Sequence, residues 1–139
     1  MTPSTEPSGV QTTNREALLL QTVAHFNAGD LDAVLERLHP EVEWPDLATD
    51  QILHGRDEVR AYWERQMRAL RPEITPNEVV PAGEDVIMVN TQRAFERGNG
   101  KEMVPSVVVV VHRYSFRDGL IFRMRHFRSL EAALAIDDV

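Results

Sequence analysis

The apolar pattern of this chain changes period once, at Pro72. Before that point apolar residues recur every three to four positions. Leu19, Leu20, Val23, Ala24 and Phe26 form one such set, and Leu31, Val34, Leu35 and Leu38 a second. Val59, Tyr62, Trp63, Met67 and Leu70, with Gln66 among them, form a third. This spacing lays a stripe along a helix. After Pro72 the period drops to two, and the segments 73–81, 86–97, 103–116 and 120–128 read as strands. Gly83-Glu84-Asp85, Gly98-Asn99-Gly100 and Arg117-Asp118-Gly119 supply the turns between them. A chain that spends its first half on helices and its second on antiparallel strands reads as α+β.

The punctuation agrees. The first helix runs from Asn14 to Asn27; Gly29 suits its C′ position and Asp30 the N-cap of the next helix. Pro40 is expected to end that second helix. EVEWPD then reads as a short strand, confined by Pro45 to an edge or a bulge. The third helix begins after Gly55, with Asp57 and Glu58 in its first turn, where the helix dipole favours acids. LEAALA predicts a short terminal helix. Three helices can cover one face of a curved antiparallel meander and leave a conical interior, which is where a small molecule would bind.

Length and charge narrow the functions. The 139 residues suit one domain, 14–139, preceded by a disordered tail at 1–13 that is rich in Pro, Ser, Thr and Gly. The start lacks the basic and apolar regions of a signal peptide, so the cytoplasm is the expected compartment. The net charge of −7 argues against nucleic acid and anionic membranes as partners. There is no cysteine, no phosphate-cradling glycine loop and no Gly-x-Ser-x-Gly elbow, and no cofactor is expected.

The stretches NAGDLDAVLERLHPEVEWPD and HGRDEVRAYWERQM, with the later RYSFRDGLIFRMRHF, resemble SnoaL-like and ketosteroid-isomerase-like domains of the nuclear-transport-factor-two-like superfamily. The resemblance covers roughly residues 15–135. It implies a cone-shaped fold and one pocket for a small apolar or polycyclic molecule. It also implies a homodimer paired through the outer face of the sheet, where Val107, Val109 and Val111 alternate. In the same register Asp46 stands where steroid isomerases hold the carboxylate that takes a proton next to a carbonyl. His112 stands where they hold a hydrogen-bond donor to the enolate oxygen. Thr22 replaces the tyrosine that completes that pair, which argues against steroid isomerisation itself. The register also turns Asn90 and Gln92 inward and Arg93 outward.

Strand alternation gives a reading from the residues alone. If His112 faces inward, so do Val110, Tyr114 and Phe116, while Met124 and His126 share one face of the last strand. Together with the register that the resemblance implies, this makes Phe26, Trp44, Tyr62, Trp63, Gln92, Tyr114, Phe116, Met124 and His126 the expected lining, and Asp46 and His112 the expected acid/base pair. Burial should raise the pKa of Asp46, as a general base needs. The plainer alternatives are a solvated loop aspartate and a core histidine satisfied by its neighbours. Asp46, His112 and His126 carry no recognised metal-ligand spacing, and no metal is expected. His39 and His54 read as solvated loop residues, and His25 as off the buried stripe. Proton transfer next to a carbonyl, of isomerase or cyclase type, is the leading function. A non-catalytic ligand-binding or dimerisation module is the alternative. Hydrolysis of an epoxide ranks third, because it needs two carboxylates and an arginine about one water.

Overall fold

Helix ends decide most of the path. The computed structural model describes residues 7–46, 49–103 and 108–136, with side chains from residue 14 onward. Helix α1 (Pro7–Asn27) starts ahead of Asn14, so residues 7–13, read as tail, are helical; residues 1–6 lie outside the described residues. It ends as expected. Gly29 takes a φ of 78°, and its N–H bonds the carbonyl of Phe26 while that of Asp30 bonds His25. This pair of bonds is a Schellman motif, which satisfies carbonyls left over at the helix end. The Asp30 side chain then accepts from the Ala33 N–H at 3.2 Å and starts α2 (Leu31–Glu36).

Helix α2 stops before Pro40, not at it. Strand β1 (Leu38–Asp46) already includes Leu38 and Pro40, and Leu38 is fully buried. His39, expected to be solvated, is buried in this strand: its Nδ1 accepts from the Glu41 N–H, and its Nε2 lies 3.1 Å from Asp118. A short strand absent from the sequence reading, β2 (Gln51–His54), pairs antiparallel with the end of β1. Helix α3 (Gly55–Ala69) follows, and Glu58 reaches back to accept from the His54 N–H. Gly55 adopts a φ of 86°, a left-handed conformation that glycine reaches without steric cost.

Strands β3 (Leu70–Ala82), β4 (Asp85–Glu96), β5 (Val108–Arg117) and β6 (Leu120–Phe127) form the expected antiparallel meander. The strand expected from residue 103 begins at Val108, and residues 104–107 lie outside the described residues. The curved, unclosed sheet has six strands in the order β2-β1-β6-β5-β4-β3. It is mixed, because β1 runs parallel to β6, with a bulge between Leu38 and Glu43. Strand β1 is therefore interior. Pro45 is tolerated because pairing with β6 has ended at Glu43.

The sheet separates two cores. On its inner face α1, α2 and α3 bury Leu19, Val34, Val59, Trp63, Met88 and Met124. On its outer face the terminal helix α4 (Leu130–Ala135), capped by Ser129, sets Ala133 against Ile87 and Val111. No helix of the described residues is long and apolar enough to cross a membrane.

Candidate functional site

The inner face encloses a cavity of about 400 Å³. Helix α1 contributes Thr22, Val23 and Phe26, α2 contributes Val34, and α3 contributes Tyr62, Trp63 and Gln66. Trp44 of β1, Leu70, Pro72 and Ile74 of β3, and Gln92, Arg93 and Ala94 of β4 continue the wall, and Val108, His112 and Tyr114 of β5 with Met124 of β6 complete it. The volume lies within the range of small-molecule pockets. Phe26 and Trp44 each meet Trp63 edge to face, at 5.3 and 5.1 Å between ring centroids, and Trp44 also meets Tyr114 at 6.2 Å. Such contacts hold aromatic walls at fixed angles. Near Ile74 the amide of Asn27 bonds both the N–H and the carbonyl of that residue at 2.8 Å, tying the end of α1 to β3.

Polar groups in the wall are few. His112 is buried, and the hydroxyl of Tyr114 lies 3.4 Å from its Nδ1. Burial, with a smaller contribution from the nearby His126 ring, pushes the His112 pKa down to about 3, so the imidazole is neutral near pH 7. Burial raises the Tyr114 pKa, so the phenol keeps its proton. A phenol donating to Nδ1 leaves the ring's one proton on Nε2, and Nε2 is buried with no partner among the described residues. The Thr22 hydroxyl donates to the Leu18 carbonyl at 2.7 Å. Arg93, expected to face outward, borders the cavity, but its guanidinium is engaged by Glu102 at 2.8 and 3.1 Å.

The structure brings together most of the expected site: Phe26, Trp44, Tyr62, Trp63, Gln92, His112, Tyr114 and Met124 share one cavity. Three expected members are not in the lining. Asp46 is buried at the end of β1, and its carbonyl accepts from the Thr49 and Asp50 N–H groups as the chain turns toward β2. Phe116 follows an irregularity in pairing at Ser115 and packs against the inner core beneath the Arg15 guanidinium. His126 is exposed; it pairs with His112 across β5 and β6 but lies beyond the part of β6 that β1 covers. The lining as described contains no carboxylate, and among the described residues no cluster of three or more His, Asp or Glu could hold a metal ion.

Sequence reasoning missed the residues at the change of period. Leu70, Pro72 and Ile74 line the cavity because β3 starts directly from α3. Gln66 was placed in the buried stripe of α3, yet it is exposed and borders the cavity. A polar residue inside an apolar stripe was the available signal.

The sequence matches the SnoaL-like domain family over residues 19–124. No curated protein matches it. Among solved structures, an NTF2-like protein of unknown function from Burkholderia pseudomallei superposes with a TM-score of 0.69 at 23% identity, over 87% of this chain and 95% of that one. A Mycobacterium tuberculosis protein in complex with estradiol-17β-hemisuccinate superposes at 0.71 with 20% identity, over 85% and 95%. An epoxide hydrolase/cyclase-like enzyme of pyran ring formation in the polyether salinomycin superposes at 0.70 with 20% identity, over 86% and 93%. These likenesses show the fold.

Proposed function

We propose, from the premise that this chain belongs to the SnoaL-like domain family, that its cavity takes up a small, largely apolar molecule bearing an uncharged oxygen. One observation carries the reading: a cavity walled by aromatic and aliphatic groups, with a neutral His112–Tyr114 pair in it and no carboxylate among its described lining residues. A wall of that kind rewards apolar area and one or two hydrogen bonds. The similar structure that holds a steroid hemisuccinate supports a guest with a largely apolar body. Trp44 and Trp63 both line the cavity, so their fluorescence reports occupancy. Titration with acetylnaphthalene should quench it saturably, and Trp44→Phe should remove part of the signal. Linear, unsaturable quenching would sink the reading.

The second reading is proton transfer next to a carbonyl. Asp46 favours it, since it is buried on the same strand face as Trp44, two residues on. In this step the Asp46 carboxylate takes the α-proton, the C–H electron pair forms the enolate, and His112 Nε2–H bonds the resulting oxyanion. Proton NMR in D₂O tests it: the wild type should exchange the methyl protons of acetylnaphthalene, and Asp46→Asn should not. Equal exchange in both proteins would remove Asp46 from the chemistry. Epoxide hydrolysis has no such support, because the two carboxylates it requires are not in the described lining.

Pairing of two copies across the outer face is part of the same reading. Val111 is already covered by α4 and Val107 lies outside the described residues, so the pairing rests on Val109, which is 63% exposed. Light scattering at micromolar concentration should give twice the chain mass.

A further inference from the structure

Asn90 has no assigned role, yet it is one of the most buried polar residues of the fold. It sits on the inner face of β4 at 1% exposure, and neither atom of its amide has a hydrogen-bond partner among the described residues. Burying an amide without partners costs more than a typical hydrogen bond contributes. Its position is specific. Asn90 pairs with Val110, and that pair is bracketed by Gln92–Val108 on one side and Met88–His112 on the other. Gln92, Val108 and His112 all line the cavity. Asn90 is thus the diagonal neighbour of His112 on one face, at about 7–8 Å between backbones, a gap that one shared atom between two side chains can bridge. His112 Nε2 is the other buried, unpartnered group on this face of the sheet; His112 is in the cavity lining, whereas Asn90 is not among the lining residues and lies beside them.

We propose that Asn90 and His112 form a single polar subsite, in which an uncharged oxygen of the bound molecule accepts hydrogen bonds from His112 Nε2 and Asn90 Nδ2. This rests on the proposed binding function, because it names the part of the cavity that receives the guest's polar group. The ligand class follows from the donors. With the Tyr114 phenol donating to Nδ1 across 3.4 Å, the neutral ring carries its N–H on the other side. The amide brings a second N–H and no charge. Two neutral donors suit a ketone, an ester or a hydroxyl, whereas a carboxylate would lack the cation that charge-assisted recognition uses.

The test compares acetylnaphthalene with ethylnaphthalene, which has the same body and no oxygen, by quenching of the cavity tryptophans. The wild type should bind the ketone more tightly by about tenfold. Asn90→Leu keeps the shape and removes the amide. It should cut that preference roughly three- to tenfold while leaving ethylnaphthalene affinity in place or improved. The infrared carbonyl stretch of the bound ketone should be lowered in the wild type and return part of the way in Asn90→Leu, a change that loss of a purely structural contact would not produce. If both compounds bind and neither the preference nor the stretch responds to Asn90→Leu, the amide serves the fold or holds a water only, and the proposal is overturned. If neither compound binds, the proposed function falls and this subsite with it. Should Asn90→Leu fail to fold, the wild-type spectrum decides: a stretch at its value in an alkane overturns the proposal, and a lowered one carries it.

Discussion

On the inner face of β5, His112 and Tyr114 are buried as neutral groups, and one ring nitrogen of His112 has no partner among the described residues. On the outer face, one residue away, Arg113 is buried just as deeply with its charge intact. Its Nε donates to Asp85 at 2.8 Å, its Nη1 donates to the Ala133 carbonyl at 2.8 Å, and Arg125 approaches the same carboxylate at 3.3 Å. The two faces solve the same problem differently. Where the protein supplies partners it can bury a full charge, and the charge fastens α4 to the sheet. Where partners are missing among the described residues, desolvation removes the charge.

The contrast can be attacked from its strongest side first. Asp85→Ala removes the carboxylate that Arg113 and Arg125 share, and should cost about 3–5 kcal/mol of stability, read as the denaturant midpoint. Acetylnaphthalene binding should persist in the folded fraction, since no member of this cluster lines the cavity. A loss below about 1 kcal/mol would show that the outer charges are not fastening anything. Acid probes the inner face. Folded His112 titrates at about 3 against an ordinary 6.5, so between those values the unfolded chain takes up a proton that the folded chain refuses. Stability should therefore fall as pH drops below 6.5, by roughly 2 kcal/mol at about pH 5, and His112→Asn should flatten that slope. A wild-type slope retained in the variant would mean that other groups set it. Tyr114→Phe is milder: losing the phenol's bond to Nδ1 should cost about 1 kcal/mol, and nitrogen shifts of the ring should report a mixture of tautomers. Val109→Lys puts a charge on the face proposed to pair two copies, so it should bring the light-scattering mass from twice the chain mass down toward one, with less than about 0.5 kcal/mol change in the stability of the single chain. An unchanged mass would take Val109 out of the interface.

Local signals made much of this legible. Helix period placed Phe26, Tyr62 and Trp63 on the inner side, and strand alternation placed His112, Tyr114 and Met124 with them. The Gly29-Asp30 pair marked a helix junction that forms through the bonds those residue types favour. The misplacements have a common origin in contacts between distant residues. Nothing near Glu43 in sequence announces that it will lie beside Arg123, so the parallel joint, the four-residue β2 and the interior place of β1 were invisible. Phe116 packs against the inner core, on the side alternation gave it, but it lies outside the cavity, under the Arg15 guanidinium of a distant helix. His126 obeys alternation yet stays exposed, because burial depends on what lies over a face as well as on which face a residue occupies. Val111 was expected at a face pairing two copies, and α4 covers it instead; the terminal helix was expected but its docking site was not.

The joint between β1 and β6 also bears on how the chain reaches its native state. The meander from β3 to β6 is stitched by neighbours in sequence, whereas Leu38 must find Ile121 across most of the polypeptide. Pairing of such long range is slow, so β1 is expected to dock on β6 last. Trp44 meets Tyr114 only once that joint has formed, which would complete the aromatic wall at the end of folding. A guest that needs the finished wall has nothing to hold in the folding transition state. It should leave the rate of folding unchanged and act as a brake on opening, lengthening the lifetime of the native chain in stopped-flow unfolding.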